Sequence, residues 1–160
     1  MRERPHRLDR SCYAGERTAA FTACVAERRQ VLVSSAVVDP LVGYLRQAAE
    51  AHRCFVPVYC FMPDHLHVMF KGVDAESDLF AAMKTFKHRS GHWMARHNLP
   101  FRWQKDFYDH LIRGREDWRA QATYIGLNPV RAGIVENLFD YPFTGSIGTE
   151  LEDVVLGWGR

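Results

Sequence analysis

The chain has 160 residues, a formal net charge of +2 and 47% hydrophobic residues, which suits one domain with a sizeable core and leaves no room for two. No apolar run approaches the ~20 residues of a membrane span. The charged start, Met1-Arg2-Glu3-Arg4-Pro5-His6-Arg7, lacks the apolar segment of a signal peptide, so a cytoplasmic location is expected.

In chain order, Thr18 to Val25 reads as a first strand, although its alanines weaken the signal. Asp39-Pro40 has the form of a helix start, with Asp as N-cap and Pro at the first helical position. Leu41, Leu45, Ala48 and His52 then recur at helical spacing. Phe55 to Phe61 is rich in β-formers but holds Pro57, which predicts an edge strand or a bulge. Met62-Pro63-Asp64 supplies a tight connection into a strand from His65 to Lys71. Alternation there puts His65, His67 and Met69 on one face and Leu66, Val68 and Phe70 on the other.

A long helix is expected from near Ser77 through Trp93, stopped by Asn98 and Pro100. Phe80, Met83 and Phe86 form its apolar stripe; Lys84, Lys87, His88 and Gly91 form a basic one. Phe107 to Arg113 reads as a strand. Gly114 and the pair Glu116-Asp117 open a last helix, limited at Asn128 by Pro129. Strand, helix, strand, strand, helix, strand, helix is the order of an α+β, ferredoxin-like (RRM-like) split βαβ plan with an added C-terminal helix. The sheet is expected to be mainly antiparallel, with helices on one face. The whole chain, 1–160, is taken as one domain with a core of about 11–146 and a short tail, 147–160.

The four cysteines, Cys12, Cys24, Cys54 and Cys60, form no Cys-x-x-Cys pair and read as free thiols. Charge is uneven: from Lys84 to Lys105 there are six Lys and Arg and no carboxylate, with His88, His92 and His97 interleaved. That favours a basic face, although a merely solvated surface has the same composition. His65-Leu66-His67 places two imidazoles on one side of a strand, a pairing that suits a divalent transition metal or is simply two surface histidines. On the last helix Trp118, Ala122 and Ile125 mark the packing face, while Gln121, Tyr124 and Asn128 form a polar stripe beside it. If that helix crosses the second sheet face, a phenol and an amide approach the histidines. A phenol with a pKa near ~10 is a poor nucleophile unless a cation polarises the phosphate it attacks. Equally, Tyr124 can be a packing residue with a wet hydroxyl, and Asn128 can be only an N-cap for Pro129 to Ala132, leaving Gln121 as the alternative amide.

The string Tyr59-Cys60-Phe61-Met62-Pro63-Asp64-His65-Leu66-His67-Val68-Met69-Phe70 resembles the HUH motif (histidine, hydrophobic, histidine) of the single-tyrosine transposases. The group it resembles is that of the REP-associated tyrosine transposases and their IS200-like relatives. Trp103-Gln104-Lys105-Asp106-Phe107-Tyr108-Asp109-His110-Leu111-Ile112-Arg113, the run Tyr124-Ile125-Gly126-Leu127-Asn128-Pro129-Val130-Arg131-Ala132-Gly133 and Asp140-Tyr141-Pro142-Phe143 resemble the same group. The likeness covers roughly residues 11 to 146. It implies a divalent ion, Mg²⁺ or Mn²⁺, held by His65, His67 and a third polar side chain. It also implies Tyr124 as the nucleophile on single-stranded DNA, leaving a 5′-phosphotyrosine and a free 3′-hydroxyl. In some relatives the third ligand is a Gln four residues after the tyrosine, where this chain has Asn128.

For DNA, single-stranded or folded into a hairpin such as a REP-like palindrome, the expected contacts are Lys84, Lys87, His88, Arg102, Lys105, Arg113 and Arg131. Trp103 is either a base platform or a buried loop anchor. Monomer and homodimer are both compatible with the sequence. Two other classes compete: a ferredoxin-like binding module that does not cut, and a metal-dependent phosphodiesterase using water in place of Tyr124.

Overall fold

The structure, a computed structural model, describes residues 8–113 and 118–157. Five strands make one sheet: β1 (Thr18–Cys24), β2 (Cys54–Met62), β3 (His65–Gly72), β4 (Tyr108–Ile112) and β5 (Thr144–Ile147). Their order is β4-β1-β3-β2-β5, and every neighbouring pair is antiparallel. β1 and β2 are therefore parallel with β3 between them, which is the consequence of a split βαβ connection. This mixed α+β arrangement agrees with the element order read from the sequence.

The helices α1 (Ser35–Ala51) and α2 (Leu79–Arg96) pack on each other and on one face of the sheet. Leu66, Val68 and Phe70 of β3 join Leu41, Leu45, Met83 and Phe86 in this main core. The apolar stripe of α1 begins at Val38, which is buried with Leu41 and Leu45. Burying that residue draws the helix start back to Ser35, ahead of the expected Asp39-Pro40 boundary, and Pro40 lies inside the helix. Tertiary packing here outweighs the local start signal. α2 follows the sequence closely. Asp78 caps it by accepting from the Ala81 amide at 2.9 Å. Asn98, at φ 51°, ends it in a Schellman turn in which the Leu99 amide donates to the Met94 carbonyl and that of Asn98 to Ala95.

Pro57 marks a bulge and not an edge, because β5 pairs with β2 on its outer side. Val56 faces the main core while Val58, two residues on, faces the opposite side. Regular alternation forbids that, so the irregularity between Phe55 and Tyr59 flips the strand's faces. The flip sends Val58, Cys60 and Met62 to the second face of the sheet. There, with Met69, they meet Ala122 and Ile125 of α3 (Trp118–Gly126), together with Tyr141 and Val154. The expected opening of α3 at Gly114 and Glu116-Asp117 lies outside the described residues. After α3, a short helix α4 (Asn128–Arg131) continues with only a brief break.

The described part of the expected tail, residues 147–157, carries secondary structure. β5 ends at Ile147, and α5 (Leu151–Leu156) packs against α3, placing Val154 in the second core. The short Thr-Gly-Ser-Ile run carries too little pattern to announce a strand. The second face, expected to be crossed by one added helix, carries α5 as well as α3 and α4. The cysteines are free thiols as expected, with burial pushing Cys54 up to about 12 and Cys60 up to about 11. Among the described residues, no helix is long and apolar enough to cross a membrane.

Candidate functional site

The site is built on β3. Leu66 is fully buried in the main core and fixes the strand, so the two histidines flanking it project to the other face. Truncating such a leucine costs about 2–5 kcal/mol. His65 and His67 meet with their Nε2 atoms 3.1 Å apart.

Each ring is held from behind. His67 Nδ1 lies 2.9 Å from Thr22 Oγ1, on the neighbouring strand at the residue directly paired with it. His65 Nδ1 lies 2.6 Å from Asp64 Oδ1. With each Nδ1 carrying the proton and donating to its oxygen partner, both Nε2 lone pairs point into the same space. Two nitrogens bound at right angles to one ion at ~2.1 Å stand about 3.0 Å apart, so the donor pair fits a divalent cation. Outer oxygen partners of this kind orient metal-binding imidazoles in general.

The electrostatics suit ligation as well. Burial first, then the neighbouring His65, Arg131 and Arg28, hold His67 down at about 4. It is therefore neutral at pH 7. Asp64 is pushed up by burial, but hydrogen bonds from Arg28 and His65 outweigh this and hold it below the usual carboxylate range. Arg28 Nε donates to Asp64 Oδ2 at 2.9 Å, and its Nη2 is 3.5 Å from His65 Nδ1. Arg28 reaches this position through two successive left-handed residues, Glu27 (φ 62°) and Arg28 (φ 53°). Such conformations cost about 1–3 kcal/mol each and persist where the surroundings enforce them. Neither Thr22, Asp64 nor Arg28 was singled out from the sequence as a site residue. The strand register that pairs Thr22 with His67 and the turn that returns Arg28 have no local sequence signature.

On the same side of the sheet, α3 and α4 carry Tyr124, Asn128 and Arg131. Ala122 and Ile125 seat the helix on the second core, which leaves Tyr124 outward, 61% exposed. The Arg131 guanidinium carbon is 3.8 Å above the Tyr124 ring centre. Its terminal nitrogen donates to Asn128 Oδ1 at 2.9 Å. Asn128 is the first residue of α4 and not a cap outside it. Its oxygen, engaged by Arg131, has a second lone pair. Gln121 is half-buried on α3. Among the described residues, no three His, Cys, Asp or Glu side chains converge as a metal cluster.

The expected DNA contacts scatter. Arg131 stands at the site, its charge acting on His67. Arg102 and Lys105 are exposed on the segment that runs past the β1 end nearest His65, where the Gln104 amide donates to the Cys24 carbonyl and Cys24 pairs with His65. Lys84 and His88 are exposed on α2, which covers the opposite face of the sheet from the histidines. Lys87 spends its ammonium on the carbonyls of Gln104 and Asp106, at 2.6 and 3.0 Å. Arg113 follows β4 at the end where Ile112 pairs with Thr18, six residues of β1 and about 20 Å from His65. Trp103 is 7% exposed, and its Nε1 donates to Ser90 Oγ at 2.9 Å. It anchors the loop and offers no face to a base.

A REP-associated tyrosine transposase of Escherichia coli K12 is 28% identical over 89 residues, which are 56% of this chain and 52% of that protein. The chain thus matches about half the length of this relative. A Haemophilus influenzae protein assigned provisionally to the same group is 23% identical over 135 residues, 78% of this chain and 76% of the other. A solved structure described as a REP-associated tyrosine transposase bound to a REP hairpin superposes with a TM-score of 0.75 at 24% identity. That likeness covers 98% of this chain and 88% of the other, and it establishes the shared fold. Residues 17–125, well over half of the chain and including both histidines and Tyr124, match the IS200-like transposases, and the chain belongs to that family.

Proposed function

We propose that the protein is a transposase that cleaves and rejoins single-stranded DNA, with Tyr124 as nucleophile and a divalent cation, Mg²⁺ or Mn²⁺, held by His65 and His67. The observation that carries this reading is the meeting of two imidazole Nε2 atoms at 3.1 Å, each ring's Nδ1 backed by an oxygen, on the sheet face that also bears Tyr124. A bound cation supplies charge that polarises the scissile phosphate and stabilises its oxygens in the transition state. Asn128 is the first candidate for a third ligand and Gln121 the second.

The chain's own groups do the rest. Tyr124 Oη attacks phosphorus, the bond to the 3′-oxygen breaks, and the DNA is left as a 5′-phosphotyrosine. The phenolic proton passes to solvent and the departing 3′-oxygen takes one up, so the phosphodiester bond is exchanged and not lost. Rejoining is the reverse attack by a 3′-hydroxyl. Arg131 stacks on the attacking ring and fixes its tilt, while its remaining N–H groups stand ready for a phosphate oxygen. Thr22 and Asp64 hold the imidazoles in the tautomer that ligates. Hairpin DNA is the proposed form of substrate, supported by the hairpin bound to the solved relative.

Cleavage of a labelled hairpin oligonucleotide, in Mn²⁺ and in EDTA, tests the reading. Wild type is expected to cut only with Mn²⁺, and His65→Ala, His67→Ala and Tyr124→Phe are each expected to abolish cutting. Cleavage that survives Tyr124→Phe would mean a hydrolase that uses water. Binding without cleavage under all conditions would mean a module that holds DNA only.

A further inference from the structure

Two exposed tyrosines flank the histidine pair, and the proposed chemistry uses only one of them. Among the described residues, the aromatic rings left substantially exposed are Tyr108, Tyr124 and Phe139. Tyr108 opens β4, pairs directly with Thr22, and Thr22 pairs directly with His67. Directly paired residues project to the same side of a sheet. Tyr108 therefore stands on the histidine side, one strand beyond the hydroxyl that holds His67. The alternation along β4 agrees: Leu111 enters the main core, and Ile112 packs on the second one. Tyr108 is 54% exposed, and its phenol is near enough to Arg28 to act on that guanidinium's charge.

Thr22, His67 and His65 thus lie between two groups of side chains: Tyr124 and Arg131 of α3 and α4 toward β2, where one wall stands, and Tyr108 with Arg28 toward β4, where the second stands. A strand whose phosphate sits at the histidine pair has its neighbouring base directed at one wall or the other. The first wall is taken by the nucleophile, with Arg131 already on its ring. The second offers a half-exposed aromatic ring, the kind of platform that stacks unpaired bases without reading their sequence.

We propose that Tyr108 is a stacking platform for an unpaired base next to the phosphate at the histidine pair, a specificity device for single-stranded over duplex DNA. This inference rests on the reading of the histidine pair as a phosphate site, but it concerns binding and needs no cleavage.

The test is fluorescence anisotropy in EDTA, which prevents covalent capture, comparing oligo-dT with an abasic deoxyribose-phosphate strand of the same length. Wild type is expected to favour the strand that has bases. Tyr108→Ala is expected to lose roughly 5- to 150-fold of that preference, the range for one stacked base. Affinity for the abasic strand should stay near wild type, and Tyr108→Phe should retain the preference. An undiminished preference in Tyr108→Ala, an equal loss on both strands, an equal loss in Tyr108→Phe, or no binding of oligo-dT by wild type would each overturn the inference. Adduct formation in Mn²⁺ is scored separately. No adduct together with a Tyr108-dependent base preference removes the Tyr124 chemistry and leaves the platform standing.

Discussion

Thr22→Val is the sharpest probe of how the histidine pair is prepared. Valine matches threonine in shape, so the change removes one oxygen, 2.9 Å from His67 Nδ1, and little else. Without that oxygen the half-buried Nδ1–H has no acceptor in its present orientation, a loss of about 1–3 kcal/mol for a desolvated donor. The ring can recover it by swapping tautomer or turning, and either move takes the Nε2 lone pair away from its partner on His65. Changes of this kind behind a metal ligand typically cost 10–100-fold in metal affinity, equivalent to ~1.4–2.7 kcal/mol. Mn²⁺ binding, followed by calorimetry on the intact protein at neutral pH, is the assay. Thr22→Val should weaken binding about 10–100-fold, Thr22→Ser should restore it, and His67→Ala should abolish it. Wild-type Mn²⁺ affinity in Thr22→Val, alongside loss in His67→Ala, would refute the argument that the hydroxyl sets the ligand.

Three further outcomes follow from the geometry. Arg131→Ala should slow formation of the covalent DNA adduct by about 10–100-fold, and Arg131→Lys should recover only part of it, because an ammonium cannot both stack on Tyr124 and reach Asn128; equal rates for Lys and Arg would count against that role. Trp103→Phe should lower the unfolding free energy by the ~1 kcal/mol of its lost bond to Ser90, read as a lower urea midpoint, while leaving oligonucleotide affinity unchanged; weakened DNA binding at unchanged stability would return this ring to the interface. Burial above all, aided for Tyr13 by Asp109 and for Tyr141 by Cys60, pushes both phenols up to about 12. Since they ionise near 10 when unfolded, their contribution is complete below pH 10 and is lost as pH rises through about 12. The urea midpoint of wild type should therefore fall between those values, and Tyr141→Phe, already without its bond to the Phe61 carbonyl, should fall less.

The parts of this molecule legible in its sequence are those with a local cause. Alternation around Leu66 sorts His65 and His67 from the core residues, and β3 follows it residue by residue. The spacing of Trp118, Ala122 and Ile125 marks the packing face of α3, while which sheet face that helix crosses was open in the sequence. Parts with a non-local cause stayed hidden. The pairing of Thr22 with His67 and of Tyr108 with Thr22 depends on strand register, which nothing within either segment states. Val38 extends α1 upstream because the core takes it, against an adequate start signal at Asp39-Pro40. The basic run from Lys84 to Lys105 looked like one surface, yet the fold turns Lys87 to two carbonyls, Lys84 and His88 to the far side of the sheet, and Arg102 and Lys105 to the histidine end. Charge counted along a chain does not say which face it occupies.

The central claim is that Tyr124 forms the covalent bond to DNA, and peptide mass spectrometry tests it most directly. Wild-type protein reacted with a hairpin oligonucleotide in Mn²⁺ would be digested with nuclease and protease, and its peptides searched for a residual nucleotide mass. A 5′-phosphonucleotide on the peptide containing Tyr124, absent in EDTA and in Tyr124→Phe, is the result expected. Cleaved DNA with every peptide unmodified, or the adduct on another residue such as Tyr108, would contradict the account.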